Sequence, residues 1–327
     1  MAFSGTISTT TFNTRRVIDH AFRRCRVPAQ RVTAEMQQIA TDLLYLILSE
    51  MASVRVPSWC IEKLILPMYE GQPVVTLPLG TVDVLNLNYR SLSQQTGIET
   101  ITTTEYKVDF SGQDTQISTV GMKWLSPSVD VEFWVSDDDV VWVKIDEVAA
   151  SAGANEWSWT DIIPQVTCQY FKITSTDPMV FERVFLGNTP SEIPFGVLNR
   201  DTYTAQSNKV FNGRPTTYWF QRNINQPVLN LWPAPNAQAE YAQLIVWRHR
   251  QIMDVGTLQQ ELDIPQRWYE AIVAMLAAKL AQEIESVDVN LIAPLDANAA
   301  AAMNTAWNGD NDGSPTTIQP WISPYTR

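Results

Sequence analysis

The sequence is poor in the residues most often used for chemistry. Two histidines, His20 and His249, and three cysteines, Cys25, Cys60 and Cys168, lie far apart among 327 residues. Neither set has the short, repeated spacing of a metal-ligand cluster, and an odd number of scattered thiols makes no disulfide framework. Three reduced, buried cysteines packing as small apolar groups are expected. Each histidine falls within a predicted element with arginines close by, which suits a surface or internally satisfied ring. The chain has only thirteen glycines, and neither a phosphate-cradling loop nor a nucleophile elbow is found. Neither an enzyme nor a cofactor is expected.

Long apolar runs are missing too. No stretch approaches the roughly 18 consecutive apolar residues of a membrane span, and the first residues lack the layout of a secretory signal, so cytoplasmic synthesis without a membrane partner is expected. Basic residues are scarce: 23 Lys and Arg stand against 35 Asp and Glu, a net charge of -12. Such a balance disfavours gripping nucleic acid by counterion release, though not a surface that DNA slides past. The first 31 residues run the other way, with six arginines and the single acid Asp19. Arg15, Arg16, Arg23 and Arg24 are therefore candidate assembly contacts for an acidic partner or a phosphate, against the plainer role of a solvated helix face.

What is present is a globular composition, 45% apolar and 18% charged, sufficient for a sizeable core. Val17, Ile18, Ala21, Phe22 and Cys25 recur at helical spacing over 14–26, and Pro28 follows. Thr33 is a good N-cap for a second helix, in which Met36, Ile39, Ala40, Leu43, Leu44, Ile47, Leu48 and Met51 form one stripe. A short third helix is predicted over 58–66. From Pro73 the period changes to two, which predicts strands. Beyond residue 113 a small all-β module is expected, with strands over 129–136, 140–145, 169–174 and 180–186. The acidic turn Asp137–Asp139 joins the first two, and a loop rich in Ala, Ser and Trp follows them. Strands return at 217–221, 229–232 and 241–248. Pro265 then opens a helix to about Ile284 through Trp268, Ala271, Ile272, Met275, Leu276, Ala278 and Leu280. An alanine-rich helix over 294–304 precedes a tail from residue 305, where glycine and proline break regular structure.

The fold class expected is α+β: N- and C-terminal helices packed as a bundle, an associated small β region, and an inserted antiparallel β-sandwich. The boundaries expected are 1–112 and 188–304 for the two halves of a host domain, 113–187 for the insertion, and 305–327 for an extended tail. Asn308, Asp310, Asp312 and Gly313 imitate the start of a calcium loop, but its twelfth position is Gln319, so no metal is expected there. Twelve tryptophans mostly suit core packing. Trp157 and Trp159, predicted in a loop, are candidates for a carbohydrate platform, and Trp307, Trp321 and Tyr325, predicted in the tail, are candidate assembly contacts.

Two resemblances add to this reading. Ser136, Asp137, Trp142 and the strand Tyr170–Ile173 resemble discoidin-type, galactose-binding-like sandwiches. The stretch from Phe211 through Gly213-Arg214-Pro215 and an aromatic strand to Trp232-Pro233-Ala234-Pro235 resembles head-to-tail adaptor or tail-accessory proteins of short-tailed bacteriophages. Leu262-Asp263-Ile264-Pro265 with Trp268, the N-terminal helix pair, and the strand at 77–87 fit the same pattern. In all of these Gly213, Arg214, Pro215, Trp232, Pro233, Pro235, Pro265 and Trp268 are architectural. The resemblance implies a virion subunit, assembled in the host cytoplasm, in a ring of about twelve neighbouring copies. It also implies a portal protein above, a channel for passing double-stranded DNA, and nozzle or fibre proteins below. The alternative, drawn from the sandwich alone, is a carbohydrate-binding tail or fibre module.

Overall fold

Asn13 starts the first helix because its side chain accepts the amide of Arg16 at 3.1 Å, and Arg23 and Arg24 in the last turn oppose the negative end of the helix dipole. The computed structural model describes residues 12–54, 57–223, 225–285 and 287–310. In chain order the elements are α1 (Thr14–Arg24), α2 (Ala34–Val54), β1 (Ile61–Pro67), β2 (Val74–Thr76), β3 (Thr81–Gln95), β4 (Ile98–Ile101) and β5 (Glu105–Asp109). There follow β6 (Thr115–Trp124), β7 (Val131–Ser136), β8 (Val143–Val148), β9 (Trp157–Cys168), β10 (Tyr170–Thr174), β11 (Phe181–Pro194) and β12 (Gly196–Val197). The last are α3 (Arg200–Thr204), β13 (Asn212–Gly213), β14 (Thr217–Gln221), β15 (Val228–Trp232), β16 (Ala234–Pro235), β17 (Gln243–Arg250), α4 (Tyr269–Glu283) and α5 (Ile292–Gly309).

The chain divides into a helical unit, residues 1–61 with 250–327, and a β unit, 62–249. In the helical unit α1 and α2 pack on α4, and α4 packs on α5. Val17, Phe22, Leu44, Ile47, Trp268, Ile272 and Leu276 share one apolar cluster. Nine of the fifteen residues of α4 are buried, so this alanine-rich helix is enclosed on most sides and α1, α2 and α5 close against it. Thr33 caps α2 as expected, accepting the amide of Met36 at 3.2 Å. The sequence expectation fails just after α2. Only Ser58–Cys60 turn helically, and Ile61–Pro67 is strand, because β17 supplies a neighbouring edge that a short helix would not use.

The β unit is built on a six-stranded sheet of order β1-β17-β3-β11-β6-β9 that serves two cores. Val120, Met122 and Trp124 of β6 and Val184 and Leu186 of β11 pack against Tyr106, Val108, Phe133, Phe171 and Ile173. Those five belong to a five-stranded antiparallel sheet of order β4-β5-β10-β7-β8, and the two sheets form a β-sandwich. Leu87 and Tyr89 of β3 and Leu244 and Val246 of β17 pack with Tyr218, Leu229 and Leu231 of a four-stranded sheet, β12-β14-β15-β2. The sandwich therefore draws on strands outside 113–187: β4 and β5 lie in one of its sheets, and β3 pairs with β11 in the other.

Two further expectations are corrected. The segment read as a Trp-containing loop is β9, whose residues 157–168 pair with β6 along their length apart from a register shift near Ile117. The tail does not begin at 305, because α5 runs to Gly309 and carries Trp307 into the helical core.

Candidate functional site

The two histidines lie in different elements, α1 and β17. His20 lies over the ring of Phe12, with centroids 5.5 Å apart, and His249 is buried in β17. Among the described residues no group of three or more His, Cys, Asp or Glu is placed to hold a metal ion. Asp310, the first acid of the calcium-like stretch, accepts the Ser58 amide at 3.0 Å and pairs with Arg267. Burial alone would raise its pKa, but these donors outweigh it and hold the carboxyl below its ordinary range. Asp312 and Gly313 lie outside the described residues. All three cysteines are buried thiols outside any disulfide; Cys25 is pushed up to about 11 and Cys168 to about 12 by loss of water around the thiolate.

The expected assembly contacts separate. Arg15 and Arg23 are exposed on α1, Arg16 lies 5.2 Å from the centre of the Phe12 ring, and Arg24 pairs with Glu270 at 2.6 Å. Trp307 meets Trp268 edge-on at 4.7 Å, which makes it a packing residue. Trp321 and Tyr325 lie outside the described residues.

The residues that carry the second resemblance fall in both units. Gly213 pairs with Pro235 and Asn212 with Ala234, both in parallel register. A Cβ on Gly213 would sit 3.3 Å from the ring of Pro233, so the glycine permits that approach. Arg214 lies over Tyr89 at 4.7 Å, and Trp232 donates its indole N–H to Asn208 O at 3.1 Å. Pro215 leads into β14. Pro265 accepts the Trp268 amide at 2.9 Å, and Trp268, fully buried, packs 5.1 Å from Trp59.

Polar chemistry concentrates in the β unit, in two places. On the six-stranded sheet, Arg90 on β3 donates to Asp161 at 2.9 Å and to Glu192 at 2.6 Å, and Lys63 on β1 donates to Asp161 at 2.9 Å. Thr119 donates to the same aspartate at 3.1 Å. Burial opposes ionisation of Asp161 and Glu192, yet hydrogen bonds from Arg90, Lys63 and Asn88 prevail and hold both below the usual carboxylate range. Beside this network Trp157 and Trp159 stack on one another, centroids 4.9 Å apart, with Phe185 and Tyr241 at their edges. Trp157 is only 4% exposed, and its amide donates to the Tyr69 hydroxyl. The pair walls a cavity of about 470 Å3 with Tyr69, Gln72, Glu156 and Thr160.

A second aromatic surface lies on the outer face of the five-stranded sheet. Lys172 on β10 lies across from Lys107 on β5 and from Trp134 on β7. Lys172 Nζ sits 4.1 Å from the centre of the Trp142 ring and 6.0 Å from that of Trp134; Lys107 Nζ sits 5.7 Å from Tyr170. Trp142 reaches this face because its loop is locked: Asp138 accepts the amides of Val140 at 2.9 Å and Val141 at 2.8 Å. Those amides and the Ser136 hydroxyl stabilise the ionised carboxylate and lower its pKa. Asp139 takes a positive φ of 59° and holds Lys107 at 2.6 Å. The acidic turn was legible in sequence; that it delivers an indole onto two lysines was not.

Comparison with known proteins found no matching family model and no match among curated proteins. Among solved structures, a CBM32 module from a family 31 glycoside hydrolase of Clostridium perfringens aligns at 14% identity, covering 41% of this chain and 98% of that one, with a TM-score of 0.24. The family 32 CBM of C. perfringens NanJ, solved with galactose, aligns at 10% identity over 41% of this chain and 97% of its own, TM-score 0.23. The C-terminal domain of a chitobiase from Bacteroides fragilis aligns at 15% identity over 27% of this chain, TM-score 0.23, and the alignment spans 64% of that domain.

Proposed function

We propose that the chain is a binding and assembly protein: a head-to-tail adaptor subunit of a short-tailed bacteriophage whose β unit carries a carbohydrate-recognising sandwich. The adaptor half of this reading is supported by the resemblance in Phe211–Pro235 and Leu262–Trp268. Within it Gly213 and Pro235 direct the chain by their parallel pairing, and Trp268 packs in the helical core. An acidic chain also suits a channel that must release DNA. The test is electron microscopy of the purified subunit mixed with portal rings. Stacked rings are the expected result, and subunits that stay dispersed beside the portal would refute the assignment.

The recognition half is carried by one observation, the half-exposed face where Trp134, Trp142 and Tyr170 surround Lys107 and Lys172. Indole and phenol rings offer apolar faces to sugar C–H groups, while lysine and aspartate at their edges bond to hydroxyls. Glycan binding that disappears in Trp142→Ala would support it. Undiminished binding by that variant would move the function elsewhere.

A further inference from the structure

The outer face of the five-stranded sheet holds a charge arrangement that the fold does not need. Lys107 and Lys172 are directly opposed on neighbouring antiparallel strands, about 5 Å apart at the backbone, and like charges in that position destabilise a sheet. Lys107 is neutralised by Asp139. Lys144, across from Trp134 on the other side, is neutralised by Glu132 and Glu147. Lys172 differs: among the described residues no carboxylate lies within ion-pair distance, and its ammonium has only the ring faces of Trp142 and Trp134. In a chain of net charge -12, a cation set between two indoles and left without an acid is available to an anion from outside.

We propose that Lys172, with Lys107, Trp134 and Trp142, forms a subsite for the carboxylate of an acidic sugar, a uronic or sialic acid residue of a polysaccharide. The inference rests on the carbohydrate reading and deepens it. The surroundings choose between a sugar and an acidic peptide. Asp109, Asp137, Asp138 and Asp139 lie on the adjoining strand ends and turn, so a run of peptide carboxylates meets repulsion. A ligand with one carboxylate per ring and several hydroxyls finds acceptors there. The locked turn fixes Trp142 before any ligand arrives, which lowers the ordering cost of binding.

The experiment is calorimetric titration of the intact chain with oligogalacturonate, oligoglucuronate, oligomannuronate and sialyllactose, each beside its neutral methyl ester. At least one acid is expected to bind tenfold or more tightly than its ester, with affinity falling as salt rises. Lys172→Gln should abolish the difference and Lys172→Arg should retain it, with the near-ultraviolet spectrum unchanged in both. Equal binding of acid and ester would overturn the subsite and leave the carbohydrate reading intact, whereas no binding of any glycan would overturn both. Hexaglutamate binding as tightly as the best acid would also overturn it, because charge alone would then explain the site.

Discussion

The two units of this protein solve the same problem with different materials. In the helical unit the shared core is apolar, and Arg24–Glu270 and Lys279–Glu50 have side chains at least about a third exposed, where such pairs contribute little; only Arg250–Asp263 and the Asp310 end of its pair with Arg267 are more enclosed among the described pairs. In the β unit the six-stranded sheet carries buried charge, with the Arg90 side chain 8% and the Asp161 side chain 14% exposed. A helix can bury a wide apolar stripe and leave its charges behind. A sheet that serves two cores has polar side chains where one core gives way to the other, and those must satisfy each other. The units should accordingly fail differently when perturbed.

The largest effect is expected at Trp268, buried between Trp59 and Trp307. Trp268→Ala should cost about 4 kcal/mol through lost burial and a residual cavity, read as a lowered denaturation midpoint of the helical circular dichroism signal. An unchanged midpoint would show that the helical core is looser than its packing implies.

Next is Asp161→Asn, which leaves Arg90 and Lys63 short of a partner and should cost about 3 kcal/mol. The accompanying pH dependence has a definite sign. Asp161 and Glu192 are held below their ordinary range, so their contribution is fully present above the unfolded carboxylate pKa of about 4. It is lost as pH falls through the lower folded values. Denaturant titrations between neutral and acid pH should show this loss in the native chain, with the Asp161 part missing from the variant. Identical acid slopes would mean that the network is a surface decoration.

A smaller effect tests packing inside the β unit. A Cβ on Gly121 would meet the Trp159 ring at 2.3 Å, so Gly121→Ala should cost about 2 kcal/mol by overpacking and perturb the near-ultraviolet signal of the stacked indoles. The smallest is Thr33→Ala, about 1 kcal/mol from a lost cap on α2, measured in the same helical transition as Trp268→Ala.

The comparison also explains what the sequence disclosed. The helical stripes of α1, α2 and α4 were readable because a single periodicity governs each buried face. Ile61–Pro67 is misread because its sheet neighbour, β17, lies about 180 residues away, and no local signal announces that partner. β9 is hidden by its polar composition: Trp157, Trp159 and Asp161 alternate onto one face of the strand, and Ser158 and Thr160 between them look like loop. Trp307 was placed in a tail because Gly309 and Gly313 suggested an early end to the helix. The Lys107–Lys172 face was beyond sequence reading, since cross-strand register alone brings those lysines together.

The chain order of the two units has a kinetic consequence. The β unit is one continuous segment, whereas the helical unit is split around it, with α1 and α2 before and α4 and α5 after. During synthesis the β unit can complete itself once β17 has emerged. The apolar stripes of α1 and α2 must wait for α4, some two hundred and twenty residues beyond the end of α2. Closure of so long a loop is slow, and until it happens the first two helices present uncovered surface to whatever is nearby. The order of folding is thus written into the connectivity: strands first, with the helices at both ends closing last.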